Sequence, residues 1–195
     1  MNWLIRLHEH YRSNNELVDI FGVILYTDAH AHIKKVLADH DYWKSLDEIS
    51  GPHWAIFSIK PQAGQYGFPN FPRDTIGFLV PVWKEPAENK PILEVFGIKS
   101  TEKLPLFIVF TQRNDEILKI ELNIEDDTTE KAYNSLKKHI EIVTEAVHKI
   151  DSQYKKNAEG VFNAIKMNID AHKNWETFKK GIKLIHWMKG FMPYQ

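Results

Sequence analysis

Asp28-Ala29-His30-Ala31-His32 sets one carboxylate and two imidazoles close together, directly after the apolar run Val23-Ile24-Leu25-Tyr26. Carboxylate oxygen and neutral imidazole nitrogen are ligand types that suit a divalent transition metal, and a metal held with an open position would activate water for hydrolysis. The local period decides whether such a site can exist. In an extended segment His30 and His32 project to one side and can share an ion. At a helix start, residues two apart diverge by about 200° and become ordinary polar residues of a first turn. His8-Glu9-His10 obeys the same rule. Further ligands would have to come from His53, His139, His148 or a carboxylate, and no motif selects among them. Asp39-His40-Asp41 could orient an imidazole as a general base, but no nucleophile is tied to it by spacing, and a polar cluster at a helix end is the favoured reading. Ser58 lies inside an apolar run and reads as satisfying a local hydrogen bond rather than attacking a substrate.

Two other stretches offer binding rather than bond-breaking chemistry. Gln65 to Arg73 gathers Tyr66, Phe68, Phe71 and Arg73 among Gly and Pro residues, and a loop of this length is often a binding element, although its aromatics could equally fold back onto the core. It has no phosphate-cradling Gly-Lys-Ser/Thr pattern. Residues 152–195 carry eight Lys against Glu159, Asp170 and Glu176, a local excess of five positive charges in a chain of net charge −1. There Tyr154, Ala158, Val161, Ile165, Ile169 and His172 form one helical stripe, and Trp175, Phe178, Ile182 and Ile185 form another. This predicts two added helices, with Trp187 and Phe191 widening the last apolar face. That face would pack across the domain or within a homodimer, or would touch a partner or an anionic membrane surface.

The elements that must position these residues follow from periodicity. A helical pattern through Trp3, Leu4, Leu7 and Tyr11 is ended by Gly22, and Val23–Tyr26 reads as a buried strand. It runs into a helix carrying Ile33, Val36, Leu37 and His40 on one side. A second strand over His53–Lys60 lies far enough along the chain for a helical crossover, so parallel pairing is expected. Ile76–Trp83 suggests an edge strand because of Pro81, and Pro91–Gly97 a short helix. Leu104–Phe110 and Ile117–Ile124 suggest an antiparallel hairpin. A long amphipathic helix through Leu136, Ile140, Val143, Val147 and Ile150 follows the acidic Glu125-Asp126-Asp127.

With 43% apolar and 26% charged residues the chain has the composition of a folded globular protein, and 195 residues suit one core with an added subdomain. Absence of cysteine excludes disulfides, thiolate metal sites and dithiol redox chemistry. The near-neutral charge and the lack of a basic-aromatic module argue against nucleic acid. No signal-like start and no long apolar run suggest a cytoplasmic protein.

The segment Val95-Phe96-Gly97-Ile98-Lys99-Ser100-Thr101-Glu102-Lys103-Leu104-Pro105-Leu106-Phe107-Ile108-Val109-Phe110, with the order strand, helix, strand, helix, strand, strand, helix, resembles the thioredoxin-like fold over roughly positions 17–150. The resemblance implies that Pro105 is the family's cis-proline and that Tyr26 to His32 occupies the place of its Trp-Cys-x-x-Cys segment, with both cysteines missing. The spacing from Gly97 to Pro105 is longer than usual in the family, and 61–83 is an insertion. Separately, Asp28-Ala29-His30-Ala31-His32 resembles the Asp-x-His-x-His opening of the metal-dependent amidohydrolases. Their (β/α)₈ barrel needs about 250 residues and more βα units than this chain supplies.

The expectation is therefore an α/β protein: a thioredoxin-like mixed central sheet flanked by helices over 1–151, with a helical C-terminal extension over 152–195. Its expected role is non-redox binding or assembly without a cofactor, through the aromatic loop or the C-terminal helices. The partner would be another protein or a second copy. Metal-dependent hydrolysis at Asp28, His30 and His32, and peripheral membrane binding, are the alternatives.

Overall fold

The computed structural model describes residues 18–60, 79–83, 90–113 and 116–189. Five strands form one mixed sheet: β1 (Phe21–Leu25), β2 (Ala55–Lys60), β3 (Leu79–Trp83), β4 (Leu106–Arg113) and β5 (Glu116–Asn123), in the order β3-β2-β1-β4-β5. β1, β2 and β3 run parallel, while β4 lies antiparallel to β1 and β5 antiparallel to β4. The helices are α1 (Ala31–Ala38), α2 (His40–Ser50), α3 (Lys90–Val95), α4 (Thr129–His148) and α5 (Ala158–Lys189).

β1 is buried along its whole length because strands flank it and both faces of the sheet are covered. Alternation sorts its side chains. Ile24 and Tyr26 join Trp54, Ile56, Phe107, Val109 and Leu122 under α1, α2, α4 and α5. Phe21, Val23 and Leu25 join Ala55, Phe57, Leu106, Ile108 and Phe110 on the other face, beneath Leu93 and Phe96. The register Leu25↔Leu106 brings the end of β1 level with Pro105, and the Leu104–Pro105 peptide bond is cis.

Three sequence expectations are corrected. Gly22 does not end a helix but lies inside β1, because the aromatic rings of Phe107 and Trp54 press on its backbone. A Cβ there would stand 2.8 Å from Phe107 Cε2 and 3.0 Å from Trp54 Cζ3. Gly22→Ala is accordingly expected to cost about 1–3 kcal/mol, read as a lowered midpoint of urea unfolding with an unchanged slope. The single helix expected to reach His40 is two helices. Asp39 separates them, and its carboxylate accepts the Asp41 and Tyr42 amides at the start of α2 (3.0 and 3.3 Å). The two helices expected at the C-terminus are one continuous helix, α5. Its first half is part of the core: Val161, Phe162, Ile165 and Ile169 are buried in the cluster that includes Ile140, Val143 and Val147 of α4.

Candidate functional site

The end of β1 delivers Thr27, Asp28 and His30 to the start of α1. His30 is the residue before the first turn, and its ring turns back on its own loop. Nδ1 accepts the Thr27 amide (2.9 Å) and lies 2.8 Å from the Thr27 hydroxyl. His32, already in the helix, points elsewhere, with Nδ1 3.3 Å from Thr129 Oγ1 at the start of α4. Asp28 pairs with Lys34 at 2.5 Å. The segment thus takes the helical branch, and each of the three side chains holds a separate partner.

His53 and His148 stand far off. His148 closes α4 at the end opposite Thr129, and a helix of this length separates its ends by about 30 Å. The His148 ring meets that of His53 edge-on, with centroids 5.4 Å apart, at the opposite end of the sheet from His30. Among the described residues no group of three or more His, Asp or Glu side chains is arranged to hold a metal ion.

The acidic turn before α4 does two jobs. Thr128 caps α4 by accepting the Lys131 amide (3.1 Å), while Asp127 pairs with Lys131 at 2.7 Å, which holds its carboxyl below the usual range. Asp126 reaches across and accepts the Ile33 amide of α1 at 2.6 Å. The positive end of α1, where an anionic substrate or nucleophile would gain most, is thus already occupied by a carboxylate of the chain.

Beneath it, Tyr26 is 1% exposed and its hydroxyl has no hydrogen-bond partner among the described residues. Burial, with a smaller contribution from Asp28, raises its pKa beyond the ordinary phenol range, so it stays protonated. Tyr26→Phe is expected to leave unfolding stability unchanged or raise it by up to ~1 kcal/mol, because it deletes an unsatisfied buried group. A loss of that size in chemical denaturation would contradict the assignment.

A concavity of about 420 Å³ opens where α5 lies against α4 and β5. Its apolar floor is Leu122, Ile142 and Ile169, and its polar rim is Lys138, His139, His172, Lys173 and Glu176. His139 Nε2 donates to the Asn123 carbonyl at 2.8 Å. Burial is the main cause that lowers the His139 pKa, opposed by that hydrogen bond, and the ammonium groups of Lys138 and Lys173 push it further down. In the sequence His139 stood out only as one of several possible further metal ligands, and His172 only as a member of a helical stripe. Their meeting depends on the register of α5 against α4, which no local spacing carries.

The outward side of α5 has a third feature. Met167 is 73% exposed and Trp175 54% exposed, with exposed Ala171 between them at four-residue spacing, opposite the buried Ile165 and Ile169. Lys179 lies over the Trp175 ring, 5.4 Å from its centroid. Of the other binding candidates, Tyr66, Phe68, Phe71, Arg73 and Phe191 lie outside the described residues, as do His8 and His10. Trp187 falls within α5, and its side chain is not among those described. Among the described residues no helix is long and apolar enough to cross a membrane. No protein-family model, curated protein or solved structure matches this chain.

Proposed function

We propose that this chain is a non-redox thioredoxin-like binding or assembly protein whose α5 helix supplies the contact surface, first of all to a second copy of itself. The observation that carries this reading is the exposed apolar line Met167–Ala171–Trp175 on a helix whose opposite side is already used in the core. A polar outer face would serve a helix that only packs inward.

The fold part of the reading is supported by the strand order, by β4 running antiparallel beside β1, and by the cis peptide before Pro105 level with the end of β1. The non-redox part is supported at the start of α1. The family's helix N-terminus can stabilise a thiolate, but here there is no cysteine, and Asp126 takes the Ile33 amide. A metal-dependent hydrolase draws less support, because His30 and His32 bond in different directions.

Sedimentation velocity of the full chain beside Met167→Glu/Trp175→Glu tests the assembly. The reading expects a species heavier than the monomer that dissociates in the double variant. A wild-type chain that stays monomeric at every concentration would remove self-assembly, and equal association of the double variant would remove this face from it.

A further inference from the structure

The groove between α4, α5 and β5 joins an apolar floor to a rim with more cationic than anionic groups. Glu176 is the one carboxylate on that rim, and it is already engaged: it lies 3.7 Å from Lys138 and 3.6 Å from Lys179, whose ammonium groups hold it below the usual carboxylate range. His172 faces Glu145 at 3.5 Å, and Glu145 is shared with Lys149. Lys173 has no carboxylate within ion-pair distance among the described residues, and its positive charge is felt by His139. The volume lies within the ordinary range for small-molecule pockets, and an apolar floor with a few convergent polar groups is their usual make-up.

We infer that this groove binds a small amphipathic monoanion, a carboxylate with an apolar chain, whose head meets Lys173 and Lys138 and whose tail lies on Leu122, Ile142 and Ile169. This goes beyond the contact surface on the outer side of α5 and stands whether or not that surface assembles. The charged groups around His139 set the pH dependence. They are Lys138 on its own helix, His172, Lys173 and Glu176 on α5, and Glu125 after β5. Nε2 of His139 already donates to Asn123, so Nδ1 takes up the added proton. In the free protein burial, and after it the two lysines, disfavour that proton. A bound carboxylate favours it, so affinity rises as pH falls.

The test titrates the full chain with decanoate, with decanol as a neutral counterpart, following Ile methyl resonances and heat of binding at about pH 6 and about pH 8. The expected result is one saturable decanoate site that shifts the Ile142 and Ile169 methyls. Decanol should bind about tenfold more weakly, and Lys173→Gln should weaken decanoate about fivefold while leaving decanol unchanged. Lys173 is exposed, so this variant is expected to fold as the parent does. Tighter binding at the lower pH should be diminished in His139→Gln. Equal affinity for decanoate and decanol, shifts confined to other methyls, no saturable binding at millimolar ligand, or a Lys173→Gln variant that binds decanoate as the parent does would each overturn the inference.

Discussion

A chain ending at Asp151 is expected not to fold. The sequence invites such a truncation, since residues 152–195 differ in charge from the rest and read as an appended extension. The core does not respect that boundary: Val161, Phe162, Ile165 and Ile169 are each at most 5% exposed, and they pack with α4 on the same face of the sheet as Trp54 and Phe107. Each such side chain contributes about 1.5–3 kcal/mol when buried, and together they amount to ~6–12 kcal/mol, comparable with the whole stability of an ordinary domain. The truncation also removes the hydrogen bond that the Asn168 side chain donates to the Ile142 carbonyl of α4 at 2.9 Å. Amide proton shifts of the truncated chain are expected to collapse toward random-coil values, without a cooperative thermal transition. A truncated chain that keeps dispersed resonances and unfolds cooperatively would mean that α5 is an accessory after all. Ile165→Asp, a single change on the same buried face, separates loss of packing from loss of chain length.

Trp54→Ala is the truncation of a single side chain with the largest expected cost, about 3–5 kcal/mol. The indole is fully buried, its ring centroid lies 6.1 Å from that of Phe107, and its N–H donates to Thr144 Oγ1 at 3.1 Å. Thr144 in turn donates to the Ser50 carbonyl at 3.4 Å, so one side chain ties β2, α4 and the end of α2 together. Trp54→Phe retains much of the apolar bulk and removes the donor, and its smaller expected loss, about 1–2 kcal/mol, measures that polar link. Urea unfolding of the two variants gives both numbers. A Trp54→Ala cost below about 1 kcal/mol would show that the site collapses around the gap or that the core does not depend on this side chain.

Much of the architecture was readable because it is written at short range. β-branched runs bounded by Gly, Pro and Asp gave the strands, and the polar turn after Phe110 gave the hairpin of β4 and β5. The spacing of Leu136, Ile140, Val143 and Val147 gave α4. Errors arose where a local signal had a distant cause. Gly22 looks like a helix terminator, yet it is glycine because the rings of Phe107 on β4 and Trp54 on the approach to β2 need the space. The apolar stripe of residues 158–195 changes face between Ile169 and Trp175, which locally resembles a break. The helix is continuous, and one face of its first half is used by α4 while Met167, Ala171 and Trp175 lie on another. The Asp-x-His-x-His spacing was visible, but its meaning turned on where α1 begins, and Asp126 bonds to that helix at Ile33, 93 residues away along the chain. The groove was least legible of all, since Lys173 becomes a neighbour of Lys138 and His139 only when two helices pack in one particular register.

The central claim is that the outer face of α5 is a contact surface, and hydroxyl-radical footprinting of Met167 and Trp175 tests it most directly, because both are exposed in the single chain. The claim predicts fast oxidation of both residues in dilute protein, protection as concentration rises, and loss of Trp175 protection in Met167→Glu. Oxidation of both residues at one unchanged rate from dilute to concentrated protein, and with the proteins of the source cell added, would contradict it.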